Sequence, residues 1–408
     1  MTAASLPGRR RVLLLLAVAE LLVMSLWFSA TAIVPELTEA WRTTPGTAAW
    51  LTISVQLGFV SGAVLSSLLT LSDVWSPRWL LAGSALLGAA CTAAIAAFAR
   101  GPEVALPLRF VTGMALAGVY PPGMKILAGW FRQQRGAAIG ILVGALTLGS
   151  ALPHLLRILG GIGEWRAVLY LASGLAVAGG LLAAVGTRDG PYQAPPAPFD
   201  PRALGRILRD RATMLANGGY FGHMWELYAV WTWIPAYLAA GFAADGRPGT
   251  TPELAGLLAF GTIAVGGLGA AVAGVAADRA GRTAVTSSSM AVSGACCLAA
   301  GPLFGASAWV LAPFCLVWGF SVVADSAQFS ASVTELAEPA YVGTALTFQT
   351  AVGFLLTVLT IRLVPIWEQG LGWRWAFAPL AVGPVLGTAA MLFLRRRPEA
   401  ERMAGGRR

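Results

Sequence analysis

The stretch Glu20-Leu21-Leu22-Val23-Met24-Ser25-Leu26-Trp27 returns 206 residues later as Glu226-Leu227-Tyr228-Ala229-Val230-Trp231-Thr232-Trp233. Each copy has a carboxylate at its head and a tryptophan at its end, and each lies inside a longer apolar run. A bilayer crossing takes roughly twenty such residues at a rise of about 1.5 Å each. Working outward, Asp73 matches Asp278 at an offset of 205, and Glu164-Trp165-Arg166-Ala167 matches Gly372-Trp373-Arg374-Trp375-Ala376-Phe377 at 208. Three anchors at nearly one spacing mark a duplication. Parallel repeats of six membrane helices are a plan of carriers that hold substrate between their halves near the bilayer midplane.

Composition agrees with that plan. The 408 residues are 57% hydrophobic and only 12% charged, about half the charge share of a soluble protein, and the mean hydropathy is +0.70. Apolar runs and breakers predict helices near 12–34, 47–70, 79–99, 104–131, 137–160 and 165–187, then near 213–241, 252–276, 284–303, 308–335, 343–366 and 373–394. The fold class is therefore an all-α membrane protein of twelve helices in two six-helix bundles, 1–187 and 213–408. A cytoplasmic linker at 188–212, rich in proline and arginine, joins them, and a short basic tail follows the second.

The net charge of +9 is placed in alternate loops. Arg9–Arg11, Arg78, Arg132 and Arg135, the stretch Arg188–Arg211, Arg279 and Arg282, and Arg395–Arg408 fall on one side, whereas Arg42, Arg100 and Arg247 are sparse on the other. This positive-inside pattern predicts a multi-pass protein of the cell inner membrane with both termini cytoplasmic. A nucleic-acid partner would account for the basicity but not for its alternation. Cys91, Cys296, Cys297 and Cys315 all sit in apolar segments and show neither zinc spacing nor a disulfide framework. Glu20, inside the first apolar run, argues against a cleaved signal peptide.

The loop Gly274-Val-Ala-Ala-Asp278-Arg279-Ala-Gly281-Arg282 resembles the cytoplasmic Gly-x-x-x-Asp-Arg-x-Gly-Arg motif of the major facilitator superfamily. Its first-half copy keeps Asp73 and Pro77-Arg78 without the glycines. Arg109-Phe-Val-Thr-Gly113 resembles the family's helix 4 motif, and Arg135-Gly136 opens helix 5 as is usual there. The resemblance covers nearly the whole chain. It implies a cytoplasmic gate at Asp73, Arg78, Asp278, Arg279 and Arg282, a link between Arg109 and proton coupling, and a cavity faced by helices 1, 4, 7 and 10. Within the family, Leu26-Trp27-Phe28-Ser29-Ala30 is similar to anion porters. The Gly-Pro pair of the antiporter signature is absent from helix 5, where Pro153-His154 follow Gly149-Ser-Ala-Leu, and the arginines of nitrate carriers are absent from helices 2 and 8.

Ionisable groups inside membrane helices cost about 2.5–3.5 kcal/mol each on insertion scales and are functional candidates by default. Glu20, Arg109, Lys125, Arg157, Glu226, Asp325 and Arg362 lie in apolar runs, with both histidines, His154 and His223. Glu20 is about 12 Å inside the first helix. Lys125 is the single lysine beside 27 arginines, and an ammonium there reads as an anion site or as a side chain snorkelling to the interface. Glu20 and Glu226 read as protonatable carboxylates or as salt-bridge partners, with Lys125 matching Glu20 in depth. His223, three residues before Glu226, shares its helical face and offers a proton-handling pair. Arg157 and Arg362 read as repeat partners that draw an anion inward or snorkel outward. Trp27, Tyr120, Trp231 and Gln56 would line a pocket.

The expectation is a secondary transporter, without cofactor or metal, that moves a small organic anion with protons by alternating access. Lys125, Trp27, Tyr120, Trp231, Gln56, Arg157 and Arg362 would bind substrate, and Glu20, Glu226, His223, Asp325 and Arg109 would couple it to protons. The alternative is a proton/substrate antiporter exporting a cationic or amphipathic compound. No HExxH, nucleophile elbow or phosphate-cradling glycine loop points to an enzyme. Partners are the substrate, protons and the lipid bilayer, with the chain acting as a monomer.

Overall fold

The computed structural model describes residues 8–69, 71–131, 135–159, 164–192, 200–245 and 251–407. The Asp73 side chain and positions 193–199 of the expected linker lie outside the described residues. The molecule is all-helical, as the apolar periodicity requires. The first passage, α1, runs Arg9–Met24 and Val34–Trp41 around an irregular stretch at 25–33. It is followed by α2 (Pro45–Leu68), α3 (Pro77–Phe98), α4 (Pro102–Leu116 and Tyr120–Trp130), α5 (Arg135–Leu159) and α6 (Trp165–Gly186). The second set is α7 (Arg211–Asp245), α8 (Pro252–Ala280), α9 (Arg282–Leu303), α10 (Ala308–Ala324 and Ser326–Leu336), α11 (Val342–Trp375) and α12 (Val382–Arg395). Eleven of these passages are long and apolar enough to cross a bilayer. The broken α1 makes the twelfth.

Three helices expected to be continuous are interrupted at depth. In α4, Pro121 and Pro122 lack the N–H groups that would bond to Ala117 and Gly118. The chain there tightens instead, with Gly118 N–H bonding to Ala115 O at 2.8 Å and Val119 N–H to Leu116 O at 3.1 Å. In α1 the same shortened bonding runs through Leu26 and Trp27, whose N–H groups reach Val23 O and Met24 O at 3.1 and 3.0 Å. The break in α10 falls on Asp325. By contrast, α11 continues past the expected end at 366 and turns only at Gly372, whose φ of +70° suits a residue without a Cβ.

Packing sets the register of the duplication. A Cβ on Gly179 of α6 would stand 2.6 Å from Ala19 O and 3.0 Å from Leu22 Cβ, and one on Gly383 of α12 would stand 2.5 Å from Gly222 O and 2.7 Å from Trp225 Cβ. Ala19 and Leu22 therefore correspond to Gly222 and Trp225, an offset of 203 between α1 and α7 rather than 206. That corrects the first anchor: Glu20 corresponds in space to His223, and Glu226 to Val23. A helix aligned by identical letters was displaced by three residues, close to one turn.

Two seams join the halves. Along α5 and α8, Gly144 and Gly267 meet so closely that a Cβ on either would come within 3.0 and 2.8 Å of the other's carbonyl oxygen, the close approach that small residues permit in membranes. Along α2 and α11, Ser67 Oγ and Thr347 Oγ1 lie 2.9 Å apart, and the rings of Phe59 and Phe354 are 4.5 Å apart further along.

Candidate functional site

Six aromatic rings close the centre between the halves. From the first half come Trp27, Phe28 and Phe59, and from the second Tyr228, Trp231 and Phe354. Trp27 lies 5.7 Å from both Tyr228 and Phe354, and Phe28 lies 6.1 Å from Tyr228 and 5.8 Å from Trp231. Such edge and offset contacts are worth about 0.5–1.5 kcal/mol each beyond their burial. The indole N–H groups of Trp27 and Trp231 find no acceptor among the described residues. Of the expected pocket residues, Trp27 and Trp231 thus join one cluster. Gln56 lies on α2, three residues from Phe59, and is buried with its amide unpaired.

Below Trp27 on the same helix, Glu20 is completely buried and neither carboxylate oxygen has a hydrogen-bond or ion-pair partner among the described residues. It packs on the second piece of α4, where a Cβ on Gly123 would stand 3.7 Å from its Oε2. Tyr120 opens that piece and Lys125 lies further along it, partly exposed. The ion pair between Glu20 and Lys125 expected from depth is not formed. An unpaired charge in such a place costs several kcal/mol, and a bound proton or a cationic ligand removes that cost.

Glu226 is in a different position. Its Oε1 accepts from Trp318 Nε1 at 2.7 Å and from Cys297 Sγ at 3.3 Å, and its Oε2 accepts from Ser293 Oγ at 2.9 Å. The carboxylate ties α7 to α9 and α10. His223, expected to work with Glu226, instead sets its Nδ1 2.9 Å from Asp325 Oδ1 at the break of α10, with the Phe329 ring 5.6 Å away. A three-residue spacing places two side chains on one face but does not decide which neighbouring helix each meets.

The arginines are committed elsewhere. Arg109 is fully buried and donates to Leu51 O at 3.2 Å, Leu26 O at 2.9 Å, Ser29 Oγ at 3.3 Å and Trp27 O. Its guanidinium thus ties the irregular stretch of α1, through Leu26 O, Trp27 O and Ser29 Oγ, to Leu51 O of α2, a use suited to five fixed donors. Arg157 donates through Nε to Glu36 Oε1 at 2.7 Å. Arg362 is exposed at the other end of the α2–α11 seam, with its guanidinium over Gly46. His154 is buried on α5 with its Nε2 unpaired.

At the Gly274–Arg282 motif, Arg282 forks onto Glu335 at 2.6 and 2.7 Å and also donates to Gln328 Oε1 at 2.7 Å. Gly281, with φ +93°, makes the turn that brings Arg282 under the bundle. The Asp278 and Arg279 side chains are exposed, and Arg407 reaches the backbone carbonyl of Asp278. Arg78 donates to Thr187 O at 3.5 Å and lies over the Trp79 ring. Glu335, Gln328 and Glu36 were not singled out from the sequence. An acid near a helix end reads as a solvated charge, and its partner lies 53 residues away for Glu335 and 121 for Glu36.

Two helical bundles joined through a cluster of aromatic rings, each with buried ionisable groups in its interior, define a membrane transporter rather than an enzyme. The family model described as Major Facilitator Superfamily matches residues 16–246. The chain belongs to that family. Among solved structures it is similar to a bacterial homologue of the human lysosomal transporter Spinster in an inward-facing, unoccupied conformation, at 14% identity and a TM-score of 0.72, covering 96% of this chain and 98% of that one. It is also similar to a point mutant of the nucleoside transporter NupG, at 16% identity and a TM-score of 0.69, covering 94% and 99%. At these identities the likeness shows the fold. A comparison with curated proteins found no match.

Proposed function

We propose that the protein is a proton-coupled carrier that exchanges protons for a cationic or amphipathic organic compound. Residues 1–187 and 213–408 would rock as two units in the cell inner membrane, with both termini cytoplasmic. The observation that carries this reading is Glu20. Among the described residues it is the buried acid with both oxygens unpaired, on the same helix as Trp27 and facing the break of α4. Proton and cation would compete for that carboxylate, and either one would neutralise it. The basic groups that favoured an anion are spoken for at Arg109 and Arg157, which have backbone and carboxylate partners.

The test is transport in proteoliposomes with an acidic lumen, using tetraphenylphosphonium and benzoate as probes. Tetraphenylphosphonium is expected to accumulate, and Glu20→Gln to abolish the dependence on the gradient. No gradient-driven movement of tetraphenylphosphonium, together with benzoate uptake when the gradient is reversed (alkaline lumen, acidic outside) and its loss in Lys125→Ala, would replace this reading with anion symport. Lys125, the single lysine in the chain, on the same piece of α4 as Gly123, is the observation that keeps that second reading.

A further inference from the structure

We infer that Gln56 is the specificity-determining hydrogen-bonding group of the substrate site, and that it selects a planar aromatic cation carrying a carboxamide-type group. The inference rests on the exchanger reading above and narrows its substrate class.

Gln56 is 0% exposed, and neither its Oε1 nor its Nε2 has a hydrogen-bond partner among the described residues. Burying an amide in that condition is costly unless a hydrogen-bonding partner arrives. Other buried amides in the same molecule are satisfied. Gln349 donates to Asn217 Oδ1 at 3.0 Å and accepts from Ser330 at 3.1 Å, and Gln328 accepts from Arg282 at 2.7 Å. An idle amide is therefore a local exception rather than the habit of this core.

Its position gives the exception a use. On α2, Thr52, Gln56 and Phe59 are spaced four and three residues apart and so share one face. At one end of that face Thr52 meets Thr31 of α1 at 2.7 Å. At the other, Phe59 lies 5.0 Å from the Trp27 ring and 4.5 Å from that of Phe354. Gln56 thus sits between the irregular stretch of α1 and the ring cluster that joins the halves. When the halves part, the faces of Trp27, Phe59, Tyr228 and Phe354 become the walls of the opening, with the amide on one wall.

Ring faces attract cations and stack on planar ligands. The unused indole N–H groups of Trp27 and Trp231 only donate, whereas a primary amide donates and accepts. A carboxylate would pair with Nε2 and leave Oε1 facing a like acceptor. A carboxamide on the ligand satisfies both atoms at once. An apolar lining with a few convergent polar groups is the usual make-up of a small-molecule site, and a site built to bond a polar group strongly rejects the analogue lacking it.

The matched probes are 1-methylnicotinamide and N-methylpyridinium, planar cations that differ in the carboxamide. Their binding is measured by thermal shift on the purified full chain and by competition with tetraphenylphosphonium. The wild type is expected to prefer 1-methylnicotinamide by at least about tenfold, 1.4 kcal/mol. Gln56→Leu should erase that preference, keep N-methylpyridinium binding and raise the Tm of the unliganded protein. If that variant does not fold, Gln56→Met, unbranched and of similar length, carries the same comparison. An unchanged preference in the variant, or none in the wild type, overturns the inference and leaves Gln56 a core residue. Binding of tetraphenylphosphonium but of neither planar cation also overturns it while the exchanger reading stands, whereas failure of all three probes removes both.

Discussion

Glu20 and His223 occupy the same place in the two bundles. Leu16 and Glu20, four residues apart on α1, both face Gly123 of α4. Gly219 and His223, four apart on α7, both face Phe329 of α10, the position 206 residues beyond Gly123. The second bundle answers its ionisable group with Asp325 at 2.9 Å. The first leaves its carboxylate with no hydrogen-bond partner among the described residues. Duplication has thus given two equivalent sites with unequal electrostatics, and function is expected to divide between them accordingly.

Substitutions at the two sites should therefore rank in opposite orders. His223→Ala strands Asp325 in the interior, a loss of about 3–5 kcal/mol when one partner of a buried pair is removed, and is expected to lower the Tm clearly. Glu20→Gln removes a group that no neighbour needs, so its Tm should equal or exceed that of the wild type while gradient-driven transport is lost. Thermal unfolding in detergent beside flux in proteoliposomes reads both. A Glu20→Gln protein that melts well below the wild type would show that Glu20 has structural partners.

Glu226 is expected to behave as a structural carboxylate. Trp318→Phe keeps the ring that lies 5.4 Å from Phe377 but deletes the 2.7 Å bond to Glu226. A hydrogen bond to a charged group is worth about 1.5–3 kcal/mol. The variant should lose stability in that range and keep proton-coupled flux with an unchanged pH profile. Loss of coupling at full stability would instead move Glu226 into the transport cycle.

Much of this arrangement was legible in the sequence and some was not, for identifiable reasons. Twelve passages, the duplication and the position of the Gly274–Arg282 motif between α8 and α9 follow from apolar run length and glycine placement, which are local properties. Partner choice is not local. His223 was assigned to Glu226 because three residues share a face, yet Asp325 comes from another helix. Arg109 reads as a charge awaiting a carboxylate, whereas it ties α2 to an irregular stretch of α1 that no proline or glycine between 25 and 33 announces. Glu36 and Glu335 looked solvated because their arginine partners are distant in the chain. The register slip of α1 against α7 arose because matching letters outweighed packing.

Arg109→Lys should fail where charge alone would suffice. The guanidinium reaches Leu51 O from Nε, and Leu26 O and Trp27 O from separate terminal nitrogens. A lysine offers one nitrogen that cannot span the three. At least one of these contacts is lost, and because Leu26 O keeps the Ser29 donors the cost falls chiefly on Trp27 O, at about 1–3 kcal/mol for a buried group left unsatisfied. The expected outcome is reduced yield of folded protein and a lower Tm, rescued in neither respect by raising ionic strength. A lysine variant of wild-type stability would mean that the irregular stretch does not depend on the fork.

The fork of Arg282 on Glu335 gives the last expectation. Its side chains are 10% and 29% exposed, so the pair is neither fully solvated nor sealed, and bidentate geometry adds to a simple ion contact. Contacting residues in one network typically couple by about 0.5–3 kcal/mol. Glu335 Oε2 also accepts the Ala404 N–H at 3.1 Å, so the segment after α12 depends on the same carboxylate. A double-mutant cycle of Arg282→Ala and Glu335→Ala, read by thermal unfolding, should give coupling in that range, and Glu335→Ala alone should also open the segment around Met403 to proteolysis. Asp278→Asn should change stability little, because that side chain is exposed and the Arg407 contact is made to its backbone. Additive effects at Arg282 and Glu335 would mean that the fork is incidental and that this end of the bundle is held by packing alone.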